Sequence, residues 1–181
     1  MASPPTGTLT FMFTDIEGST KMWEINAPAM QAALARHDDL LRSSIEEHGG
    51  YVFKTAGDAF CATFPTAPDA LEAALEIQRR LLSSQWEESG PLRVRMALHV
   101  GVAEERNGDY FGPPLNRVAR LMSAAHGGQM LLSLPAQELV RDQLPVGTTL
   151  RDLEEHRLKD LFRPERVFRL VSTDLPSEFR P

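Results

Sequence analysis

The sequence predicts an α+β fold in which helices pack on a mixed β-sheet. Segments with strand-like alternation and segments with helical spacing of apolar residues follow one another without a regular βαβ repeat. Gly and Pro residues separate many of these segments. The 181 residues suit one compact domain over 1–181, with its core from about 8 to 171 and flexible ends at 1–7 and 173–181.

The first half of the chain predicts three strands and three helices. Leu9, Phe11 and Phe13 alternate with mostly strand-favouring residues, and this strand ends at Asp15. The later elements follow from apolar spacing and from the turn residues between them. They are a short helix at 16–24, a helix from Met30 to His48 that Gly49–Gly50 ends, strands at 51–55 and 58–64, and a helix with Leu71, Leu75, Gln78, Leu82 and Trp86 on one face, capped by Thr66 and Asp69.

The second half predicts a strand at 92–104 that folds back near Asp109, because Asn107–Gly108 is a strong hairpin signal. A helix over 115–125 follows and ends at Gly127–Gly128. The remaining predicted elements are a short strand at 129–133, a short helix at 135–143 and paired strands at 148–158 and 165–171.

Composition excludes several classes of function. The net charge is −6 and Lys and Arg form no block, so we expect no nucleic-acid partner. No apolar run approaches the ~20 residues of a membrane span, and the N-terminus does not resemble a signal peptide. The single Cys61 suits a reducing cytoplasm and predicts a buried, inert thiol. The histidines show no metal-ligand spacing, and Trp23 and Trp86 are interpreted as core residues.

The first candidate site follows the strand of LTFMFTDIEGST. A carboxylate at the end of a core strand is costly unless it is paired, and a metal ion would pair with Asp15. The backbone N–H groups of Gly18, Ser19 and Thr20 would then suit a phosphate. The alternative is that Asp15 caps the next helix and Gly18 only turns the chain.

The second candidate site is KTAGDAF, where Asp58 follows a Gly turn between two apolar strands. If these strands neighbour the first one, Asp58 lies beside Asp15, and two such carboxylates repel unless divalent cations bridge them. All-oxygen ligation suits Mg²⁺ or Mn²⁺. The alternative is an ordinary turn aspartate.

The third candidate site is GDYFGPPLNRVAR, where Pro113 and Pro114 precede a helix. Asn116 and Arg120 are four residues apart and therefore share a helix face, which differs from the apolar face. The alternative is a solvated face without function.

The chain resembles the class III nucleotidyl cyclase catalytic domain from about Thr8 to Val171. The resemblance lies in the order and spacing of FTDIEGST, KTAGDAF and GDYFGPPLNRVAR. The resemblance implies a ferredoxin-like, palm-type domain with a mainly antiparallel sheet. It also implies a stand-alone adenylyl cyclase of bacterial type that converts ATP to 3′,5′-cyclic AMP and pyrophosphate. Two alternatives stay open: a non-catalytic nucleotide-sensing or partner-binding module with this fold, and a guanylyl cyclase.

The resemblance implies that Asp15, Asp58 and the Ile16 carbonyl bind two divalent metal ions, Mg²⁺ or Mn²⁺. Lys54 and Asp109 match the residues that read the purine. Adenine offers an acceptor at N1 and a donor at its 6-amino group, so a lysine donor and an aspartate acceptor complement it. Guanine would leave both residues mispaired, which favours ATP over GTP.

Asn116 and Arg120 match the pair that orients the ribose and stabilises the transition state. Arg95, in RMALHVG, matches a phosphate-contacting arginine, and Lys159, in HRLKD, matches a lysine that binds the triphosphate. Asp160 follows Lys159 where many relatives have glycine, so the conformation of this loop is not predicted. No protein nucleophile is needed for this reaction.

The resemblance also implies a head-to-tail homodimer. One subunit would bring the metals, and its partner would bring the purine-reading and transition-state residues. Lys54 lies only four residues before Asp58, and its ammonium group would repel cations bound there. Because this chain carries both sets of residues, we expect a symmetric homodimer with two shared active sites and ATP as substrate.

Overall fold

The structure is a computed structural model and describes residues 3–86 and 88–176. Within these ranges the chain forms nine strands and five helices. In chain order they are β1 (Thr8–Ile16), α1 (Ser19–Ile25), α2 (Ala27–Glu47), β2 (Tyr51–Ala56), β3 (Ala59–Phe64), α3 (Ala67–Ser83), β4 (Val94–Val102), β5 (Glu104–Arg106), β6 (Asp109–Phe111), α4 (Pro113–Ser123), β7 (Met130–Ser133), α5 (Leu134–Val140), β8 (Thr148–His156) and β9 (Glu165–Ser172).

Seven strands form one sheet in the order β2-β3-β1-β4-β7-β9-β8. Only β4 and β7 run parallel, and the other neighbouring strands of this sheet are antiparallel. Strands β5 and β6 pair separately as a hairpin. The α+β class with a mixed, mainly antiparallel sheet is therefore confirmed.

The alternation along β1 divides the core between the two faces of the sheet. Leu9 and Phe11 join one buried cluster, whereas Met12 and Ile16 join the other. Buried residues of α2, α3 and α5 complete the Met12 cluster, and α4 completes the Leu9 cluster. Successive side chains of a strand point to opposite faces, so one strand can serve both layers. β1 thus contributes to both core layers, beside β4, the middle strand of the sheet.

Close packing fixes the turn between α2 and β2. A Cβ atom on Gly50 would lie 2.6 Å from the side chains of Ile45 and Phe64, both of which are fully buried. Such a distance is far below van der Waals contact, so this position requires glycine.

Several predicted boundaries are wrong. The strand predicted over 92–104 ends at Val102, and the chain resumes as β5 after Ala103. The predicted Asn107–Gly108 hairpin is confirmed, because this turn joins β5 to β6. The helix predicted to run to 125 ends at Ser123. The predicted cap of α3 is confirmed, because the Thr66 side chain accepts a hydrogen bond from the Asp69 amide.

The predicted apolar face of α3 is wrong at its end. The helix stops at Ser83, and Leu82 is exposed. Trp86 lies beyond the helix, packs against the core and donates its indole N–H to the Leu81 carbonyl. Trp23 is not a core residue, since 37% of it is exposed on α1.

In the described ranges, the helices are too short or too polar for a bilayer crossing. Residues 3–7 precede β1 without helix or strand, and Pro5 accepts a hydrogen bond from the Tyr110 hydroxyl. The flexible ends predicted from the sequence lie partly outside the described residues, at 1–2 and 177–181.

Two histidines are buried as packing residues. His99 on β4 is 3% exposed, and its Nδ1 lies 2.7 Å from the Ser133 hydroxyl. Burial, together with the Arg117 guanidinium, lowers the pKa of His99 to about 4. His37 is fully buried, and burial lowers its pKa as well. Both imidazoles are therefore neutral in the folded protein at neutral pH.

We predict that His99 makes the fold acid-sensitive. The unfolded chain takes up a proton at this position below pH 6.5, whereas the folded chain does so only near pH 4. The contribution of His99 to the free energy of unfolding is therefore fully present above pH 6.5 and falls as the pH drops towards 4. About 2 kcal/mol of it is lost at pH 5. Urea unfolding of the wild type and His99→Asn at pH 7 and pH 5 measures this loss.

The exposed His156 provides the control, because His156→Gln should keep the wild-type difference between the two pH values. His99→Asn should lose stability to a clearly smaller extent on acidification. An equal loss in His99→Asn and wild type would contradict the assignment.

Candidate active site

Asp15 lies near the end of β1, directly opposite Arg95 on β4 in the antiparallel register. The Arg95 guanidinium binds both carboxylate oxygens, with Nε 2.6 Å from Oδ1 and a terminal nitrogen against Oδ2. Both side chains are largely buried. The hydrogen bond to Asp15, supported by the charges of Glu17 and Asp58, raises the pKa of Arg95 above its usual value.

Asp58 is brought to the same place by the turn between β2 and β3. Gly57 adopts φ 61, a conformation that favours glycine. The Asp58 carboxylate oxygen Oδ2 then accepts a hydrogen bond of 2.5 Å from the Ile16 amide. The structure thus joins Asp58 to Ile16 and Asp15 to Arg95. The sequence predicted that the second motif approaches the first, but it did not predict that Arg95 pairs with Asp15. Asp58 lies in the turn and also bonds to the end of β1.

The donors at this place fit a hard divalent cation. Two carboxylates and a backbone carbonyl from neighbouring residues are the ligands that Mg²⁺ and Mn²⁺ prefer. Asp15, Asp58 and Glu17 carry three negative charges around the single guanidinium of Arg95. Among the described residues, no group of three or more His, Cys, Asp or Glu side chains is placed so that it could hold a metal ion by itself. A bound cation would therefore need further oxygen ligands from a substrate or water.

The loop after β1 is held from two sides. The Glu17 amide donates to the Arg93 carbonyl at 2.8 Å, and its carboxylate accepts from the Gly127 amide at 3.1 Å. Gly18 then takes φ 72 at the N-cap of α1. Asp15 faces Arg95 rather than capping this helix, so the capping alternative is wrong. Ser19 and Thr20 begin α1, where first-turn N–H groups have no intrahelical acceptor.

Lys54 and Asp109 lie at the β2 edge of the sheet. Lys54 is exposed on β2 opposite Cys61, and Asp109 begins β6. The Phe53 and Tyr110 rings pack at 4.8 Å and bring the β5–β6 hairpin against β2. The charges of Lys54 and Asp109 both act on the Cys61 thiol, which places all three residues in one region.

Cys61 lies among these residues and is only half-buried. Burial raises the pKa of its thiol to about 11. The thiol is therefore protonated and unreactive at neutral pH, which agrees with the predicted inert thiol, whereas the predicted burial is wrong.

Asn116 and Arg120 lie on α4, whose opposite side buries Val118 and Leu121. Asn116 is exposed, and Arg120 is partly exposed. Arg120 pairs with Asp160 in the loop between β8 and β9, at 2.8 Å. Sequence reasoning missed this contact, since only folding brings positions forty residues apart together. Lys159, the neighbour of Asp160, is exposed.

The chain matches the family of adenylate and guanylate cyclase catalytic domains over residues 1–160. It is 41% identical over 180 residues to an uncharacterized protein of Mycobacterium tuberculosis, covering 98% of this chain and 61% of that protein. It is 40% identical over 156 residues to an adenylate cyclase of Lachancea kluyveri, covering 72% of this chain and 8% of that protein. The chain therefore spans less than two thirds of the length of these relatives.

Solved structures show the same fold. An adenylate cyclase from Trypanosoma brucei, described in its monomeric state, superposes with a TM-score of 0.85 and 29% identity, covering 93% of this chain and 91% of that one. An adenylyl cyclase from P. aeruginosa gives a TM-score of 0.80 and 25% identity, covering 95% and 97%. By sequence and fold, the chain belongs to the family of class III adenylate and guanylate cyclase catalytic domains.

Proposed function

We propose that this chain is an adenylyl cyclase that converts ATP to 3′,5′-cyclic AMP and pyrophosphate. The observation that supports the proposal is the hydrogen bond from the Ile16 amide to Asp58, because it joins the second carboxylate motif to the residue that follows Asp15. Membership of the cyclase family supports the same reaction.

Asp15, Asp58 and the Ile16 carbonyl would hold two divalent metal ions. When bound, such ions activate the ribose 3′-hydroxyl for attack on the α-phosphate and neutralise the leaving pyrophosphate. Arg95 lies at the same place, already bound to Asp15, where a triphosphate would offer it a second anionic partner. The loop at 18–20 presents backbone N–H groups towards phosphate oxygens in this proposal.

Lys54 and Asp109 would read the base. The Lys54 ammonium donates to adenine N1, and the Asp109 carboxylate accepts from the 6-amino group. Their common position at the β2 edge supports this pairing, since the charges of both reach Cys61. Guanine would present a donor to the lysine and an acceptor to the carboxylate, so both residues would lose their partners.

Asn116 would orient the ribose, and Arg120 would stabilise the charge that develops on the α-phosphate. A preorganised guanidinium is well suited to this task because it keeps its charge at any working pH. Lys159, exposed beside Asp160, would bind the triphosphate.

The proposed assembly is a homodimer with two shared sites. Lys54 would repel cations beside its own Asp58, so its ammonium serves better in the site of the other subunit. Each site would combine the carboxylates of one subunit with Lys54, Asp109, Asn116 and Arg120 of the partner.

We predict that Asp15→Asn and Asp58→Asn each abolish cyclic AMP formation, because the neutral amide weakens metal binding at the reacting atoms. Product analysis with Mn²⁺ and either ATP or GTP measures this loss. Asp142→Asn, at an exposed carboxylate after α5, is the control and should keep wild-type activity. Full activity in either site variant would exclude the two-metal proposal. A wild type that forms no product would favour a non-catalytic module.

We predict that substitutions of Lys54 and Asp109 change the choice between ATP and GTP. Lys54→Glu or Asp109→Gly alone should mainly lower ATP turnover, since each leaves a mispaired polar group that costs ~1–3 kcal/mol. The double variant should raise the ratio of GTP to ATP turnover, because glutamate accepts from the guanine N1–H and the lost carboxylate no longer faces O6. Steady-state kinetics with both nucleotides measure the ratio. A folded double variant that still strongly prefers ATP would show that other residues read the base.

A further inference from the structure

The loop between β8 and β9 is fixed against α4. Leu158 is buried in one cluster with Val118 and Leu121 of α4, and the Leu161 amide donates to the Leu158 carbonyl at 3.2 Å. Asp160 lies between these two anchoring leucines. Its carboxylate is therefore held at a defined place beside the helix, although 61% of the side chain is exposed.

The backbone at Asp160 makes the choice of residue informative. Its φ is 63°, in the left-handed region where glycine is favoured and a side chain is unfavourable. Aspartate tolerates this region better than most residues, but glycine would still avoid the cost. The strained backbone makes the contacts of the Asp160 side chain worth examining.

The contact with Arg120 indicates what this side chain does. One terminal nitrogen of Arg120 lies 2.8 Å from Asp160 Oδ2, so the guanidinium keeps its other N–H groups for a phosphate. The pair is partly exposed on both sides, and such ion pairs add little to the stability of a fold. Its effect is to restrict the rotamers of a long side chain.

We propose that Asp160 is a positioning residue that aims the Arg120 guanidinium at the reacting phosphate. The inference rests on the proposed function, in which Arg120 stabilises the transition state. Asp160 does not touch the substrate; it acts only through Arg120. A misaimed transition-state donor lowers turnover more than it weakens ground-state binding.

The kinetic test compares two substitutions at Asp160. Asp160→Gly removes the carboxylate and relieves the backbone, so we expect unchanged or higher thermal stability with about tenfold lower kcat and little change in KM. Asp160→Asn keeps an oxygen acceptor at a position that Asn also tolerates, and should restore most of kcat. In an Arg120→Lys background, Asp160→Gly should lower kcat by much less than tenfold.

The matched control is the second ion pair of α4, in which Arg117 lies 3.6 Å from Glu165. Glu165→Gln removes this pair and should leave kcat unchanged. If Asp160→Gly kept the wild-type kcat, or lowered it equally in the Arg120→Lys background, the proposal would be wrong.

A measurement without turnover separates this inference from the proposed function. In ¹⁵N NMR of the full chain, Asp160→Gly should lower the heteronuclear NOE of the Arg120 Nε–H group and leave that of Arg117 unchanged. Glu165→Gln should do the reverse. A wild type that makes no cyclic nucleotide would overturn the proposed function. An Arg120 NOE that is unaffected by Asp160→Gly would separately overturn the positioning role.

Discussion

The hydrogen bond from the Ile16 amide to Asp58 holds a second carboxylate at the end of β1, against the residue that follows Asp15. The partly buried Asp15 carboxylate is stable there only with a cation nearby. Arg95 supplies one, because the register of β1 against β4 places it opposite Asp15. β1 contributes side chains to both core layers and also carries Asp15, so one strand serves both the core and the site.

Much of the fold could be predicted because β1, α2 and α3 have strong apolar periodicity and clear turn residues between them. The errors lie where tertiary contacts override local pattern. The apolar alternation of β4 continues towards Ala103, but the chain leaves the sheet there. The next two strands, β5 and β6, pair only with each other. Trp23 is exposed on a helix without buried residues, and nothing in its local sequence distinguishes it from a core tryptophan.

The individual residues of the candidate site could be predicted from the sequence, but the contacts between them could not. Asp15 and Asp58 could be identified from the sequence, because Asp15 ends an apolar strand and Asp58 follows a glycine turn. The ion pair of Arg120 with Asp160 joins two segments whose relation only the packing of Leu158 on α4 establishes. The positions of Lys54 and Asp109 likewise depend on the packing of Tyr110 against Phe53.

The central claim is that one chain carries two half-sites that become active only across a dimer. Asp15→Asn lacks the metal half and Arg120→Ala lacks the transition-state half, so we expect each variant alone to form almost no cyclic AMP. After subunit exchange at equal concentrations, half of the dimers are mixed and each has one intact site, so about a quarter of wild-type activity should return. No recovery, with exchange shown by mass spectrometry of differently labelled subunits, would contradict the account.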